Sequence, residues 1–346
     1  MNTLAGRGAP DGARFVHVVS RTAGREILFG DDEKEVFHQI LFKQLKFSGL
    51  RVLAWCFMGN HFHLLLEVPD RELALASMSD EDVLRRLSVF GDERSTKFLL
   101  AELEDCRRAD NLAGVGRIAE RVRARLFDLS AFMKELKLRF TLAYNQASGR
   151  TGTLWEGRFR SLLVEVGEAL RMVAAYIDLN PVRAGIAARP EDYRWCSYTA
   201  ALGGMRLARS GLMSSISPGS KISWSKAAES YRMLLFGIGQ AVCGGKTPGG
   251  VIRSKGGFTR REIDAVLAEG GRLSLPALLR CRVRYFTDGV VLGSQGFVDD
   301  FFERQRAWFG PRRSSGGRRM KQGEWGASRV LRALKDRVVT SPGEPV

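Results

Sequence analysis

The chain is poor in the residues that mark secreted, metal-ribbon and membrane proteins. Only five cysteines occur in 346 residues (Cys56, Cys106, Cys196, Cys243 and Cys281), and none forms a C-x-x-C pair. That excludes a zinc ribbon and a secreted disulfide framework, and the five read as reduced, small buried hydrophobes. No run reaches the roughly 18 to 20 consecutive apolar residues of a membrane span. The opening stretch MNTLAGRGAPDGARF also lacks the apolar core of a signal peptide. A cytosolic, or cytoplasmic, protein with no membrane partner is expected. Acidic residues are in deficit too: 38 Asp plus Glu face 54 Lys plus Arg, a net charge of +16. This imbalance makes a small-metabolite enzyme a poor first guess and favours a polyanion, because Lys and Arg release condensed counterions from phosphate backbones. A hydrophobic content of 45% excludes disorder of the whole chain, and the length allows two domains.

What is present falls into an ordered pattern. Residues 13–20 (ARFVHVVS) read as a strand and residues 32–47 as a helix with Phe37, Ile40, Leu41 and Leu45 on one face. Residues 51–58 and 61–68 read as two covered strands joined at Gly59-Asn60, a pair suited to the positive φ angles of a tight hairpin. Residues 71–129 are charged and helix-patterned, with Ser79-x-x-Asp82 as a capping box, and read as a helical insertion. A helix over 130–145, a strand over 158–166 and a helix over 167–180 ended by Pro181 follow. Strand, helix, strand, strand, helix, strand is the ferredoxin-like split βαβ order, so the fold class expected is α+β. Residues 203–255 are Gly- and Ser-rich and read as linker with room for one helix within it. Residues 256–337 read as a small basic helical domain. From 250 to 346 there are 19 Lys plus Arg against 10 Asp plus Glu, so +9 of the +16 lies there.

Histidine is scarce, at four copies, yet two stand as His61-Phe62-His63 within one strand. Alternation puts both imidazoles on one face, roughly 6.5 to 7 Å apart along the backbone, a separation that one metal bridges. Glu67 shares that face but lies about 13 Å from His63, too far to join them. Two imidazoles with an oxygen ligand suit Mn²⁺ or Mg²⁺ in phosphoryl chemistry, and also zinc hydrolysis; the charge favours the first. Phosphoryl transfer without a bound nucleotide needs a nucleophile. Of the six tyrosines only Tyr176 has an amide oxygen four residues on, at Asn180. Spacing alone leaves the plain readings open: paired core histidines, a helix-face aromatic, and an Asn that merely ends a helix.

The segments MGNHFHLLLEV (58–68), GTLWEGRFRS (152–161) and YIDLNPVRAG (176–185), in that order, resemble the HUH single-tyrosine transposases, in the REP-associated tyrosine transposase branch. The resemblance spans roughly residues 13–200. It implies a transposase that cleaves and rejoins single-stranded, hairpin-bearing DNA through a 5′-phosphotyrosine. It further implies His61, His63 and Asn180 as ligands of Mg²⁺ or Mn²⁺, and Tyr176 as the nucleophile. The insertion at 71–129 and the long C-terminal extension depart from shorter members. Whether one subunit or a homodimer builds the site is left open.

Arg158 and Arg160 beside Trp155 and Phe159 form a basic and aromatic cluster suited to phosphates and stacked bases, although a strand edge with Trp155 as a core plug fits equally. Residues 280–310 read as a helix-turn-helix-like DNA-binding unit punctuated at Thr287-Asp288-Gly289 and Gly293. The tail at 311–321, with Arg312, Arg313, Arg318 and Arg319, reads as a flexible phosphate contact. His17, on the first strand, reads as core packing, with an approach to the metal from behind its ligands as the alternative. A phosphate-loop look-alike at 239–247 fails because Gln240 stands where Gly is required. A non-catalytic nucleic-acid-binding or regulatory protein, and a hydrolytic phosphodiesterase, are the competing functions.

Overall fold

In a computed structural model, residues 13–91, 93–236, 275–309, 311, 313–321, 323, 325–331 and 339–340 are described. β-Branched residues carry strand β1 (Arg14–Arg21), and helix α1 (Asp31–Ser48) follows. Three acids in the first turn of α1 complement its dipole, and Gly49, at φ 79°, closes it with an N–H donated to Leu45 O. Strands β2 (Arg51–Phe57) and β3 (His61–Val68) form the expected hairpin. Neither Gly59 nor Asn60 takes a positive φ, however. Asn60 is fixed instead by its side chain, whose Nδ2 donates to Arg25 O, and by its carbonyl, which accepts from Thr22 N.

The insertion forms helices α2 (Arg71–Ala76), α3 (Asp80–Arg85), α4 (Arg94–Arg108) and α5 (Leu112–Arg123). It has its own core of Val83, Leu84, Leu87, Leu103, Ile118 and Val122 against Phe47, and the Ser79–Asp82 capping box is formed as read. Helix α6 (Leu129–Ser148), strand β4 (Arg160–Val164), helix α7 (Glu168–Asp178) and the short helix α8 (Asn180–Arg183) complete the core. Pro181 does not end a helix here. It occupies the first turn of α8, where its missing N–H costs nothing, and the chain kinks at Leu179.

The four core strands lie in the order β2-β3-β1-β4, every neighbouring pair antiparallel, which is the ferredoxin-like arrangement. α1 and α6 cover one face through an aromatic cluster in which Phe37 meets Phe62 at 4.7 Å and Phe29 stacks on Phe140 at 4.8 Å. α7 covers the other face, across β2, β3 and β4.

Two readings of the C-terminal half are corrected. The stretch read as linker carries helices α10 (Arg206–Ile216) and α11 (Trp224–Phe236), after α9 (Ser197–Leu202). The small residues of α10 are packing residues rather than spacers. A Cβ on Gly211 would lie 2.6 Å from Leu53 O and 2.8 Å from Leu53 Cα, so glycine is what lets α10 dock on β2. Residues 237–274 lie outside the described residues, and with them the rest of that linker and the phosphate-loop look-alike.

Nor is the described extension a separate helical domain. Helix α12 (Leu275–Leu279), strand β5 (Arg282–Val283), helix α13 (Arg284–Asp288), strand β6 (Val291–Gly293) and helix α14 (Gln295–Arg304) follow one another, then β7 (Arg318–Arg319), β8 (Arg329–Val330) and β9 (Val339–Thr340). β6 pairs parallel to β4, and β8 and β7 extend the sheet to seven strands. The expected helix-turn-helix is absent among the described residues, because Val291 and Leu292 supply a strand to the open edge of β4. Glu165 seals the junction by accepting from Ser294 N and Ser294 Oγ. No described helix is long and apolar enough to cross a membrane.

Candidate active site

The pairing of β1 with β3 sets Val19 opposite His63 and Arg21 opposite His61, so His17, His61 and His63 share the face that α7 covers. The three imidazoles are buried. The His61 and His63 rings stand 5.1 Å apart, centre to centre, and Tyr176 of α7 meets His63 edge-on at 6.3 Å and His17 at 6.5 Å. Tyr176 is 2% exposed and Asn180 is 7% exposed. Sequence-distant histidines and the tyrosine therefore form one buried cluster, while Glu67 makes an ion pair with Arg51 at 2.7 Å.

The hydrogen bonds determine which nitrogen of each histidine is available. His17 Nδ1 lies 2.9 Å from the Phe286 carbonyl, which can only accept, so Nδ1 carries the proton. Burial pushes the His17 pKa down to about 4, and the ring is neutral near pH 7. Its Nε2 is then an acceptor, and the His63 Nδ1 only 2.8 Å away is the donor. His63, held neutral by burial and by the neighbouring His17 and His61, is left with a lone pair on Nε2. His61 reaches the same state by another route. Asn60 Nδ2 donates to Arg25 O at 3.1 Å, which turns Asn60 Oδ1 toward His61 Nδ1 at 2.6 Å. Burial, reinforced by Arg21, Arg183 and Arg282, pushes the His61 pKa down to about 3. Both histidines thus present an unprotonated Nε2, the form in which imidazole binds metal, oriented by partners on the other nitrogen. No group of three His, Cys, Asp or Glu side chains able to hold a metal occurs among the described residues. A third ligand to a metal held here would be of another residue type; Asn180, which opens α8 four residues beyond Tyr176, carries a side-chain amide.

Helix α7 is anchored from below. Asp178 is fully buried; its Oδ1 accepts from Ser197 Oγ at 2.7 Å and Tyr198 N at 3.1 Å, and its Oδ2 accepts from Tyr231 OH at 2.7 Å. α7 is thereby tied to α9 and α11, two elements outside the ferredoxin-like core. Burial raises the Asp178 carboxyl to about 6 despite those three donors.

The remaining site readings divide. Arg158 is exposed, and Arg160 is exposed but paired with Asp288 at 2.5 Å. Trp155 is buried on the opposite face of the sheet, where its Nε1 donates to Thr141 Oγ1 at 2.9 Å; it is a core plug and not a base-stacking platform. Arg318 and Arg319 are exposed on β7. Arg313 is not part of a free tail, because it donates to the carbonyls of Ser315, Gly316 and Leu331 and lies over the Phe309 ring. Arg312 lies outside the described residues. His17 supports His63 from behind, the lesser of its two sequence readings; sequence reading missed Asn60 and the cations Arg21, Arg183 and Arg282. Only Arg183 carried a signal, as part of the YIDLNPVRAG segment.

Fold and site together define a class: a ferredoxin-like sheet that presents two metal-ready imidazoles to a buried helix tyrosine. No protein-family profile matches the chain, and no curated protein matches it. Among solved structures it is similar to a REP-associated tyrosine transposase bound to a REP hairpin, at 16% identity and a TM-score of 0.36, over 64% of this chain and 99% of that one.

Proposed function

We propose that the protein is a transposase that cleaves and rejoins single-stranded, hairpin-bearing DNA through a covalent bond between Tyr176 and a 5′ phosphate. A divalent ion, Mg²⁺ or Mn²⁺, would be held by His61, His63 and Asn180. The observation that carries this reading is the chain from Phe286 O through His17 to His63, which leaves His63 Nε2 unprotonated beside Tyr176. The donor set fits such an ion: two neutral imidazoles, each with an unprotonated Nε2, and the side-chain amide oxygen of Asn180. When bound, the ion would polarise the scissile phosphate and stabilise charge on the leaving oxygen.

The protein's own groups account for the rest. The Tyr176 phenol gives its proton to solvent and its oxygen bonds to phosphorus. The bond from phosphorus to the 3′ oxygen breaks, and that oxygen takes up a proton as a free 3′-hydroxyl. The phosphotyrosine conserves the energy of the broken bond, so a second 3′-hydroxyl can reverse the step and join strands without a nucleotide. A phenol has a pKa near 10, so neighbouring cations have to stabilise the developing charge, and Arg183 lies 3.6 Å from the ring centre.

The test is a denaturing gel of full-length protein with labelled hairpin-bearing DNA and Mn²⁺. A covalent adduct is expected with the wild type and none with Tyr176→Phe; an adduct that survives this substitution rules out the assignment. A second reading, a non-catalytic nucleic-acid-binding protein, is favoured by the near-complete burial of Tyr176. It predicts salt-sensitive DNA binding with no adduct in any metal.

A further inference from the structure

Arg183 is a buried cation that no acid pairs among the described residues. It is 7% exposed. Its Nη1 donates to Leu279 O at 3.0 Å, and its Cζ lies 3.6 Å from the centre of the Tyr176 ring. Its Nη2 is buried and has no partner. The groups that favour its charged form are Tyr176, which also hydrogen-bonds to it, Cys56 and Cys281; no carboxylate is among them. Taking a guanidinium out of water without a counterion is costly, and a carbonyl and an aromatic face offset little of that cost. Such a group persists where an anion arrives from outside.

A second observation points to the same place. Asn180, three residues earlier on α8 and so on the same helix face, buries Nδ2 without a partner. Two unpartnered N–H donors thus follow Tyr176 at the fourth and seventh positions, and Arg183 lies close enough to His61 and His63 for its charge to act on both. A guanidinium fork with one edge satisfied and the other free matches a tetrahedral oxyanion, and phosphate is the anion whose geometry arginine meets with two donors.

The geometry points to Arg183 Nη2, assisted by Asn180 Nδ2, as a built phosphate site that holds the scissile phosphodiester against Tyr176. Arg183 is then a catalytic residue, touching a non-bridging oxygen of the phosphate and facing the oxyanion that forms on the phenol. The inference rests on the proposed role of Tyr176, but its binding half does not depend on turnover. Inorganic phosphate and a DNA phosphodiester share the chemistry; only the second reaches the site as part of a strand.

The decisive experiment melts the full-length protein with chelator present, over a titration of inorganic phosphate against chloride at constant ionic strength. Wild type is expected to gain melting temperature with phosphate. Arg183→Gln is expected to need about tenfold more phosphate, or beyond, for the same gain, the loss of a charged hydrogen bond. Equal gains in the two proteins overturn the site. Arg183→Lys, which keeps the charge and loses the fork, covers the case in which the glutamine variant does not fold. It is expected to show a weakened phosphate gain and a slower adduct-forming step, and wild-type values for both overturn the assignment. If Tyr176→Phe retains the adduct while Arg183→Gln loses the phosphate gain, the nucleophile is wrong and the phosphate site stands. If the phosphate gains match and Tyr176→Phe is dead, the reverse holds.

Discussion

His17 on β1 and His63 on β3 share one proton-bearing contact, 2.8 Å from Nε2 to Nδ1, and the far side of His17 is held by a carbonyl of the C-terminal extension. The extension therefore sets the tautomer of a core histidine. His17→Phe keeps a planar ring in the cavity and removes the acceptor. The affinity of the full-length protein for Mn²⁺, measured by calorimetry, is expected to fall about 10- to 100-fold, the usual effect of losing a partner that orients a ligand. Unchanged affinity would mean that His17 only fills space.

Acid should unfold the metal-free protein through these rings. The folded pKa values of His17 and His61, about 4 and about 3, lie below the ordinary 6.5, and that of His63 is also well below it. The unfolded chain therefore binds protons that the folded chain refuses. The stability they contribute is complete above about pH 6.5 and is lost as pH falls toward the folded values. His17 alone accounts for about 3 kcal/mol by pH 4, at about 1.4 kcal/mol per pH unit. Asp178 works in the opposite direction. Its carboxyl is raised to about 6, so its contribution is present at low pH and lost as pH rises through that value. Three histidines outweigh one aspartate. The melting temperature with chelator present should drop between pH 7 and pH 5, and Asp178→Asn should make the drop steeper. A flat profile would show that the histidines are not buried and neutral.

Gly211 provides a test of whether α10 belongs to the core. Its missing Cβ is the reason that α10 approaches the backbone of Leu53 and Val52. Gly211→Ala gains helix propensity, yet the new methyl meets backbone that cannot step aside. A net loss of about 1 to 3 kcal/mol is expected in denaturant unfolding, the range for overpacking. A gain in stability would place α10 loosely on the sheet.

The sequence carried the ferredoxin-like core because each of its elements announces itself within one window: the β-branched run of β1, the apolar runs of β2 and β3, the apolar stripe of α1; the insertion announced itself likewise by the Ser79 capping box. The candidate site was legible in the same way where its members are close in sequence, as with His61 and His63, or Tyr176 and Asn180. The partners that lie far apart in sequence were not legible. Phe286 O and Leu279 O are backbone atoms about 100 or more residues from the groups they hold, and no residue type marks a carbonyl that will accept a bond. Small residues misled in the other direction, since Gly and Ser in α10 serve close packing and read as linker. Trp155 likewise looked accessible beside two arginines, although its indole is consumed by Thr141 and the aromatic core.

Arg318 and Arg319 offer a way to separate holding DNA from cutting it. Both are exposed on β7, at the edge of the seven-stranded sheet farthest from β2. Each phosphate contact contributes roughly 0.7 to 0.9 to the slope of log affinity against log salt. Replacing both with Gln is therefore expected to reduce that slope by about 1.4 to 1.8 and to weaken binding across sequences alike. The rate of adduct formation at saturating DNA should stay unchanged. Arg160→Gln should lower the slope less, because Asp288 at 2.5 Å already neutralises much of that charge. Fluorescence anisotropy over a salt series reads both effects. If the double variant keeps the wild-type slope, β7 does not face the nucleic acid, and the contacts have to be sought among Arg21, Arg158 and Arg282, nearer the histidines.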